Sequence, residues 1–170
     1  DALADLVPPD LGDSRSAYAR FIRKHKLKLE ERLALVLTLV PHLRPQLLDV
    51  FFTKNATFDR RFTEFGGSRL DDDFEPTGET LAFVLGGGSI AARIAVQRLI
   101  DPEHRLIRDD IIRLASGQRE QSAMKAPIRI SPECLGLVTT GQRHRPRPGA
   151  EFPAQRIETT LAWDDLVLVD

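Results

Sequence analysis

Hydrophobic residues between positions 14 and 52 recur at helical spacing and predict three consecutive helices. The first runs from a cap at Ser14 to about Lys26. The second, from Leu29 to Val40, is apolar nearly all round, so we expect it at the centre of the fold. Pro41 is expected to end it, and a short helix with inward Leu and Phe side chains follows from Arg44 to Phe52.

The segment from Asp59 to Glu75 lacks this spacing and predicts a long ordered loop. Gly66-Gly67 is expected to form a tight turn. The acidic residues Asp71, Asp72, Asp73 and Glu75 supply enough oxygens for a divalent cation. They lack the Gly and the twelfth-position Glu of a calcium loop, which favours a solvated turn. Four phenylalanines are expected to pin the loop to the core: Phe58, Phe62, Phe65 and Phe74.

Helical spacing returns after Pro76, with Thr77 and then Ser89 as predicted helix caps. Residues 105–114 have two short apolar arms around Asp109-Asp110 and predict a small hairpin. A short strand at 127–130 and a helix that starts at Ser131 and ends at Gly141 complete the pattern. The residues expected to point inward from the Ser89 helix are Ile90, Ile94, Val96, Leu99 and Ile100.

Together these elements predict a mainly α fold with a small β-wing, an α+β domain that is winged-helix-like and spans residues 14–141. Residues 1–13 are rich in Pro and Gly and predict a leader. Residues 142–155 predict a linker rich in Pro and Arg, and strand-like alternation returns in 156–170. Because the chain lacks an initial Met and stops directly after that alternation, we expect a fragment of a longer protein.

The composition narrows the classes of protein to consider. Hydrophobic residues make up 42% and charged residues 29% of the 170 positions, which is typical of a soluble domain. The net charge of −1 disfavours a bulk nucleic-acid binder. A single cysteine, Cys134, excludes an internal disulfide and fits a reducing compartment. No apolar run approaches the length of a membrane span, and no signal peptide is visible, so we expect a cytoplasmic protein without a membrane partner.

The three glycines at positions 86–88 allow two interpretations. Gly86-x-Gly88-x-x-Ala91 fits a dinucleotide-binding turn between a strand and a helix. A helix cap ahead of residues 81–85, a single β-branched residue within them and no further strand–helix–strand unit disfavour that reading. The alternative is a helix–turn–helix, whose second helix could offer Arg93, Gln97 and Arg98 to DNA.

The sequence gives little support for catalysis or metal binding. The four histidines lack the spacing of metal ligands, and no GxSxG nucleophile motif is present. Cys134 lies in an apolar helical pattern and is expected to be a buried small side chain. We therefore predict no catalytic residue, no metal and no cofactor for this fragment.

Several segments in combination resemble the region ahead of the AAA+ module in a group of bacterial ATPases, some of which are encoded with contractile injection systems. The strings FTEFGG and PTGET are the most specific of them. The matching segments are Leu29–Leu43, Phe62–Gly67, Phe74–Thr80, Ile130–Gly141 and Arg156–Leu168.

This resemblance implies a winged-helix-like N-terminal domain, a linker and the start of an ATPase core at residues 156–170, where Asp165, Leu166 and Val167 would border the adenine. The Walker motifs and an arginine finger are absent, so ATP and Mg are expected only in the intact parent. The parent would form a homo-oligomeric ring and remodel a protein substrate, directly or through an adaptor.

Two surfaces are candidates for partner recognition by such a domain. One is the basic stretch, which we define as Arg23, Lys24, Lys26 and Lys28; its alternative interpretation is a solvated helix face. The other is the FTEFGG loop, with Thr63, Glu64 and Phe65 as its contact residues. A DNA-binding winged helix is the main alternative function, and a dinucleotide-binding domain at Gly86–Gly88 is a remote one.

Overall fold

A computed structural model describes residues 7–70, 73–115 and 122–143. In these ranges the chain is mainly helical, with three small antiparallel sheets of two strands each. The predicted α+β class is therefore confirmed. Of the predicted leader only residues 7–13 are described, and they contain no helix or strand. Of the linker only 142–143 are described, and residues 156–170 lie outside the described ranges.

The first helix, α1 (Ala17–His25), begins later than predicted. The Ser16 hydroxyl accepts the Ala19 N–H at 3.1 Å and is the cap, whereas the Ser14 hydroxyl bonds to the Ser16 hydroxyl. Lys26 then ends α1 with a left-handed φ of 48°. The cap prediction was wrong by two residues because both serines suit the role and only the backbone decides between them.

The second helix, α2 (Leu29–Leu43), runs through Pro41, contrary to the prediction that this proline ends it. Proline lacks an N–H and removes one helical hydrogen bond, but the helix resumes, since the Arg44 N–H bonds to the Val40 carbonyl at 2.9 Å. A 3₁₀ helix follows at Pro45–Phe52. Leu48 is its buried residue, while Leu47 is exposed and not inward as predicted.

The predicted loop contains two hairpins. β1 (Lys54–Asn55) pairs with β2 (Arg60–Arg61), and β3 (Ser68–Leu70) pairs with β4 (Asp73–Glu75). Between them lies a 3₁₀ turn at Thr63–Phe65. Of the four phenylalanines, Phe74 is buried, Phe62 and Phe65 are half-buried, and Phe58 is 71% exposed and pins nothing. Asp71 and Asp72 lie outside the described ranges, and no metal-suited group of acids, His and Cys occurs within those ranges.

The glycine turn connects two helices, α3 (Gly78–Gly86) and α4 (Ile90–Gln97), and a 3₁₀ turn at Arg98–Ile100 follows. Thr77 and Ser89 cap them as predicted. Residues 81–85 are helical, so the strand that a dinucleotide-binding turn requires is not present there. The helix–turn–helix alternative is the observed one.

The predicted hairpin at 105–114 is wrong. Residues Arg105–Arg108 form a short helix, α5, which is capped by His104. Asp110 then turns the chain with φ 53°. β5 (Ile112–Leu114) pairs instead with β6 (Ile128–Ile130). The last helix, α6 (Pro132–Thr139), is capped by Ser131, and Gly141 follows with φ 77°, close to the predicted end.

The core lies where α1, α2, α3, α5 and β6 meet. Its fully buried apolar side chains come from different elements, so no two helices alone could bury it. No single helix in the described ranges is long and apolar enough to cross a membrane; α2 and the 3₁₀ helix reach that length together but bend by 103°. The largest fully buried apolar side chains are Ile22, Leu35, Leu81, Leu106, Ile111 and Ile128.

Candidate partner-binding surfaces

The turn between α3 and α4 holds the two helices in close contact. Gly86 is buried, and a Cβ added there would lie 2.9 Å from the Arg93 backbone nitrogen. The Arg93 guanidinium donates a hydrogen bond to the Gly87 carbonyl at 3.1 Å. Arg93 therefore fastens the turn and is half-buried, so it does not point freely outward as a DNA-reading residue would.

The outer side of α4 is apolar and open. Ile90 is 76% exposed and Ile94 is 56% exposed, contrary to the prediction that both point inward. Ala91 and Ala95 are also exposed and lie beside them at helical spacing. We call these four residues the α4 face. Large apolar side chains grouped on an exposed helix mark a surface that gains from contact with another molecule.

The charged residues of α4 and its following turn are arginines, and the first acidic residue after them is Asp101. Between Gly86 and Ile100 the sequence carries Arg93 and Arg98 and no acidic residue. Arg98 and Gln97 are exposed at the end of α4. The sequence signal for this surface was available, because Ile90 and Ile94 stand four residues apart, but that spacing alone cannot tell a buried stripe from an exposed one.

The FTEFGG loop and the PTGET segment are two halves of one contact. The Thr77 hydroxyl accepts the Gly67 N–H at 3.1 Å and also receives the Thr80 N–H. A Cβ at Gly66 would lie 2.7 Å from the same hydroxyl oxygen, so only glycine fits there. The two strings therefore pack against each other at the start of α3.

Phe65 of the FTEFGG loop belongs to an aromatic cluster and is not an isolated contact residue. Its ring lies 4.8 Å from that of Phe83 and 5.6 Å from that of Phe51, measured between centroids. Such edge-to-face pairs stabilise the fold. Thr63 and Glu64 are exposed beside it and stay available to a partner.

The basic stretch lies at the end of α1 and in the turn to α2. Lys24, Lys26 and Lys28 are exposed, whereas Arg23 donates to the Ser14 carbonyl at 3.0 Å and to the Leu11 carbonyl. Arg23 thus holds the preceding segment against α1. All four predicted residues are exposed, but the Arg23 guanidinium is bound to the preceding segment, so a partner would meet mainly the three lysines.

A small hollow of about 330 Å³ adjoins the basic stretch between α1 and α6. Arg20, Lys24 and His25 line it, and the His25 ring stacks on Phe21 at 4.3 Å. Burial lowers the pKa of His25, and the neighbouring Lys24 lowers it further. His25 is therefore neutral near pH 7, and the positive charge of the hollow comes from Arg20 and Lys24.

A buried ion pair holds the turn between α1 and α2 in place. Arg105 donates through Nε to the buried Glu31 carboxylate at 2.6 Å and through Nη1 to the His25 carbonyl at 3.0 Å. Burial by itself would raise the pKa of Glu31, but hydrogen bonds from Arg105 and from the Lys28 N–H outweigh it and leave that pKa below its ordinary value. All three guanidinium nitrogens of Arg105 donate to this turn, so the pair is a structural clamp.

Cys134 is buried, and its burial raises the pKa of the thiol. Its sulfur lies 3.7 Å from the Asp110 carbonyl oxygen. A thiol with a raised pKa is a poor nucleophile, which agrees with the prediction of a small core side chain.

A second apolar surface, which we call the α2 groove, lies between α2, the 3₁₀ helix at Pro45–Phe52 and α6. Its volume is about 470 Å³, within the usual range of ligand pockets. Arg44 stands in its wall and is exposed. The apolar side chains that form it are Tyr18, Val36, Leu39, Val40, Leu43, Leu47 and Val138.

Comparisons with protein-family models, curated proteins and solved structures give no match for this chain. The recognition role proposed below therefore rests on the surfaces themselves. Two of them, the α4 face and the α2 groove, were missed by sequence reasoning, because both consist of apolar side chains that the sequence pattern assigns to a core.

Proposed function

We propose that this chain is a protein-recognition domain whose α4 face binds an amphipathic helix of a partner protein. The observation that carries the proposal is the exposure of Ile90 and Ile94 on a helix held firmly by α3. Burying such a side chain contributes about 1.5–3 kcal/mol, so two of them provide a strong anchor. Helix-in-groove partners use this i, i+4 spacing of apolar anchors.

The partner helix is expected to carry acidic residues beside its apolar stripe. Arg98 is exposed next to the α4 face, and α4 itself carries no acidic residue. Opposite charges across an interface speed encounter and fix orientation. A basic partner surface would meet Arg98 unfavourably.

We further propose that the domain serves an AAA+ ATPase core, which would hydrolyse ATP with Mg and remodel the bound target in a ring of subunits. The FTEFGG and PTGET strings support this through the family resemblance. The order of α3, turn, α4 and then the β5–β6 pair supports a winged-helix-like arrangement. Asp165, Leu166 and Val167, proposed to border the adenine, lie outside the described ranges.

DNA binding is the weaker candidate for the same helix. Gln97 and Arg98 are exposed, but Arg93 is occupied by the Gly87 carbonyl, and Ile90 and Ile94 cover the rest of the outer side. A duplex surface is dense in phosphates and is bound through many cations. A mostly apolar face therefore favours a protein partner.

Photo-cross-linking from the α4 face tests protein recognition. A photoreactive residue is placed at Ile94, and a matched one at Asp59, which is exposed on the β1–β2 hairpin. We expect one protein to cross-link reproducibly from position 94 and not from position 59. Once purified, that protein should bind the Ile94→Asp variant at least tenfold more weakly than the unchanged chain.

Equal capture at both positions, or unchanged affinity in Ile94→Asp, would contradict recognition by the α4 face. Salt-dependent binding of duplex DNA that is lost in Arg98→Ala would favour the DNA alternative instead. The ATPase part is tested separately by sequencing the gene beyond Asp170. A GxxxxGK[ST] motif followed by an acidic strand supports it, and a stop codon directly after Asp170 contradicts it.

A further inference from the structure

We propose that the α2 groove is a docking site for residues 161–169 of the same chain. This inference goes beyond the proposed function and uses a different surface from the α4 face. Because the segment includes Asp165, Leu166 and Val167, docking in the groove and the adenine contact proposed above exclude each other in one molecule. It predicts that the domain holds its own C-terminal segment in an apolar groove, and that the segment can be released by changes in the groove.

The α2 groove is open to solvent although its wall is almost entirely apolar. Leu43 is 58% exposed and Leu47 is 53% exposed, while Tyr18 and Val40 are half-buried behind them. A surface of this kind is costly to leave in water and favours an apolar occupant.

The chain leaves α6 at the edge of the groove. Val138 and Thr139, at the end of α6, line the groove, and Gly141 to Arg143 follow directly. Residues 144–160 then connect to the proposed occupant. An extended connection of that length spans roughly 50 Å, so the segment can reach any part of the groove from its start.

The chemistry of residues 161–169 suits the groove. The segment LAWDDLVLV is apolar except for Asp164 and Asp165. Arg44 stands exposed in the groove wall and is the cation that either carboxylate can meet. Since the groove is apolar with one basic position, an apolar segment with an acidic pair matches it in both respects.

Attachment favours this occupant over a second molecule. A segment joined to its binding groove by a connection of this length has an effective concentration of about millimolar. A free partner or a second copy of the chain must compete against that concentration. The groove is therefore occupied from within unless the segment is held elsewhere.

Trp163 provides a direct readout, because it is the only tryptophan in the chain. Its fluorescence is measured in the full 170-residue protein and in a synthetic peptide of residues 156–170. We expect blue-shifted emission and reduced quenching by acrylamide in the full protein. In the Leu43→Asp/Leu47→Asp variant, both should return to the values of the free peptide.

The matched control is Ile94→Asp, a change of the same kind at a similarly exposed position outside the groove. Trp163 emission should stay blue-shifted in this variant. Circular dichroism verifies that both variants keep their helices. If the emission of the unchanged protein equals that of the peptide, or if the groove variant leaves it unaltered, the proposal is overturned.

Dilution separates the proposed occupant from a second copy of the chain. Docking within one molecule predicts that the emission does not change with protein concentration. A red shift on dilution, together with a dimer by light scattering, would overturn it in favour of exchange between copies. Reversing the charges of the proposed ion pair is a second check. Arg44→Glu should red-shift the Trp163 emission. Adding Asp164→Arg/Asp165→Arg to the same chain should reverse that shift.

Discussion

Helices α3 and α4 begin alike and lie against each other, yet one is part of the core and the other is largely on the surface. Each starts with a hydroxyl cap, Thr77 for α3 and Ser89 for α4. Both are rich in apolar residues, but α4 buries only Val96 among its eight residues, whereas α3 buries six of nine. Apolar content alone therefore does not distinguish a helix that supports the core, such as α3, from a helix that is exposed on the surface, such as α4.

The difference follows from how the helices are packed. α3 lies between α4, the FTEFGG loop, α2 and the 3₁₀ turn at Ala123–Lys125, so most of its sides are covered. α4 contacts mainly α3 and its own following turn. Its outer side is therefore left exposed.

The largest effect is expected in the centre of α3. Leu81 is fully buried, so Leu81→Ala should lower the free energy of unfolding by about 2–5 kcal/mol through lost burial and a cavity. Urea unfolding followed by circular dichroism measures this. A loss below about 1 kcal/mol would contradict the supporting role of α3.

The next effect concerns the crossing of the two helices. Gly86→Ala puts a Cβ against the Arg93 backbone, which cannot move without shifting α4, and should lower the free energy of unfolding by about 1–3 kcal/mol. Gly88→Ala is the matched control, because a Cβ there meets nothing within 4 Å. Thermal unfolding should show that Gly86→Ala is clearly less stable than Gly88→Ala. Equal stability of the two variants would contradict the close contact of α3 and α4 at Gly86.

The two caps should differ by a smaller amount. Thr77 is buried and its hydroxyl serves both α3 and the Gly67 N–H, so Thr77→Ala should cost about 1–2 kcal/mol. Ser89 is exposed, and Ser89→Ala should cost about 0.5–1 kcal/mol. Chemical denaturation of the two variants measures both losses in the free energy of unfolding. A larger loss for Ser89→Ala would contradict the claim that α3, and not α4, supports the fold.

The smallest expected effect is a loss of stability at low pH, and it concerns the supporting part of the fold. Since the pKa of Glu31 is lowered in the folded chain, its stabilising effect is complete above the unfolded value of about 4.3 and is lost as the pH falls through the folded value.

Denaturation at pH 7 and at pH 3 measures this effect. The unchanged protein should lose more stability on acidification than Glu31→Gln does. The Glu64→Gln variant, altered at an exposed carboxylate, is the control and should keep the acid sensitivity of the unchanged protein. If Glu31→Gln keeps the same sensitivity, Glu31 does not act as a charged clamp.

The parts of the fold that sequence reasoning predicted correctly are local. The caps Thr77, Ser89 and Ser131 depend on a hydroxyl and the backbone three residues on, and all three are confirmed. The turn between α3 and α4 could likewise be predicted from its own three glycines. Such features need no knowledge of distant contacts.

The parts that were missed depend on distant contacts. Residues 112–114 pair with 128–130 and not with their neighbours, because His104 starts a helix over the other arm of the predicted hairpin. Ile90 and Ile94 were assigned inward because periodicity identifies a stripe but not what covers it. The contact of Gly67 with Thr77 joins positions ten residues apart, which no local pattern contains.

The central claim is that the α4 face is exposed in the isolated protein and contributes almost nothing to its free energy of unfolding. The measurement that tests it most directly is the free energy of unfolding of the Ile90→Asp/Ile94→Asp variant at pH 7. We predict a value within about 0.5 kcal/mol of the unchanged protein, as for other exposed substitutions. A loss comparable to that of Leu81→Ala would show that the face is covered, and would contradict its role in partner recognition.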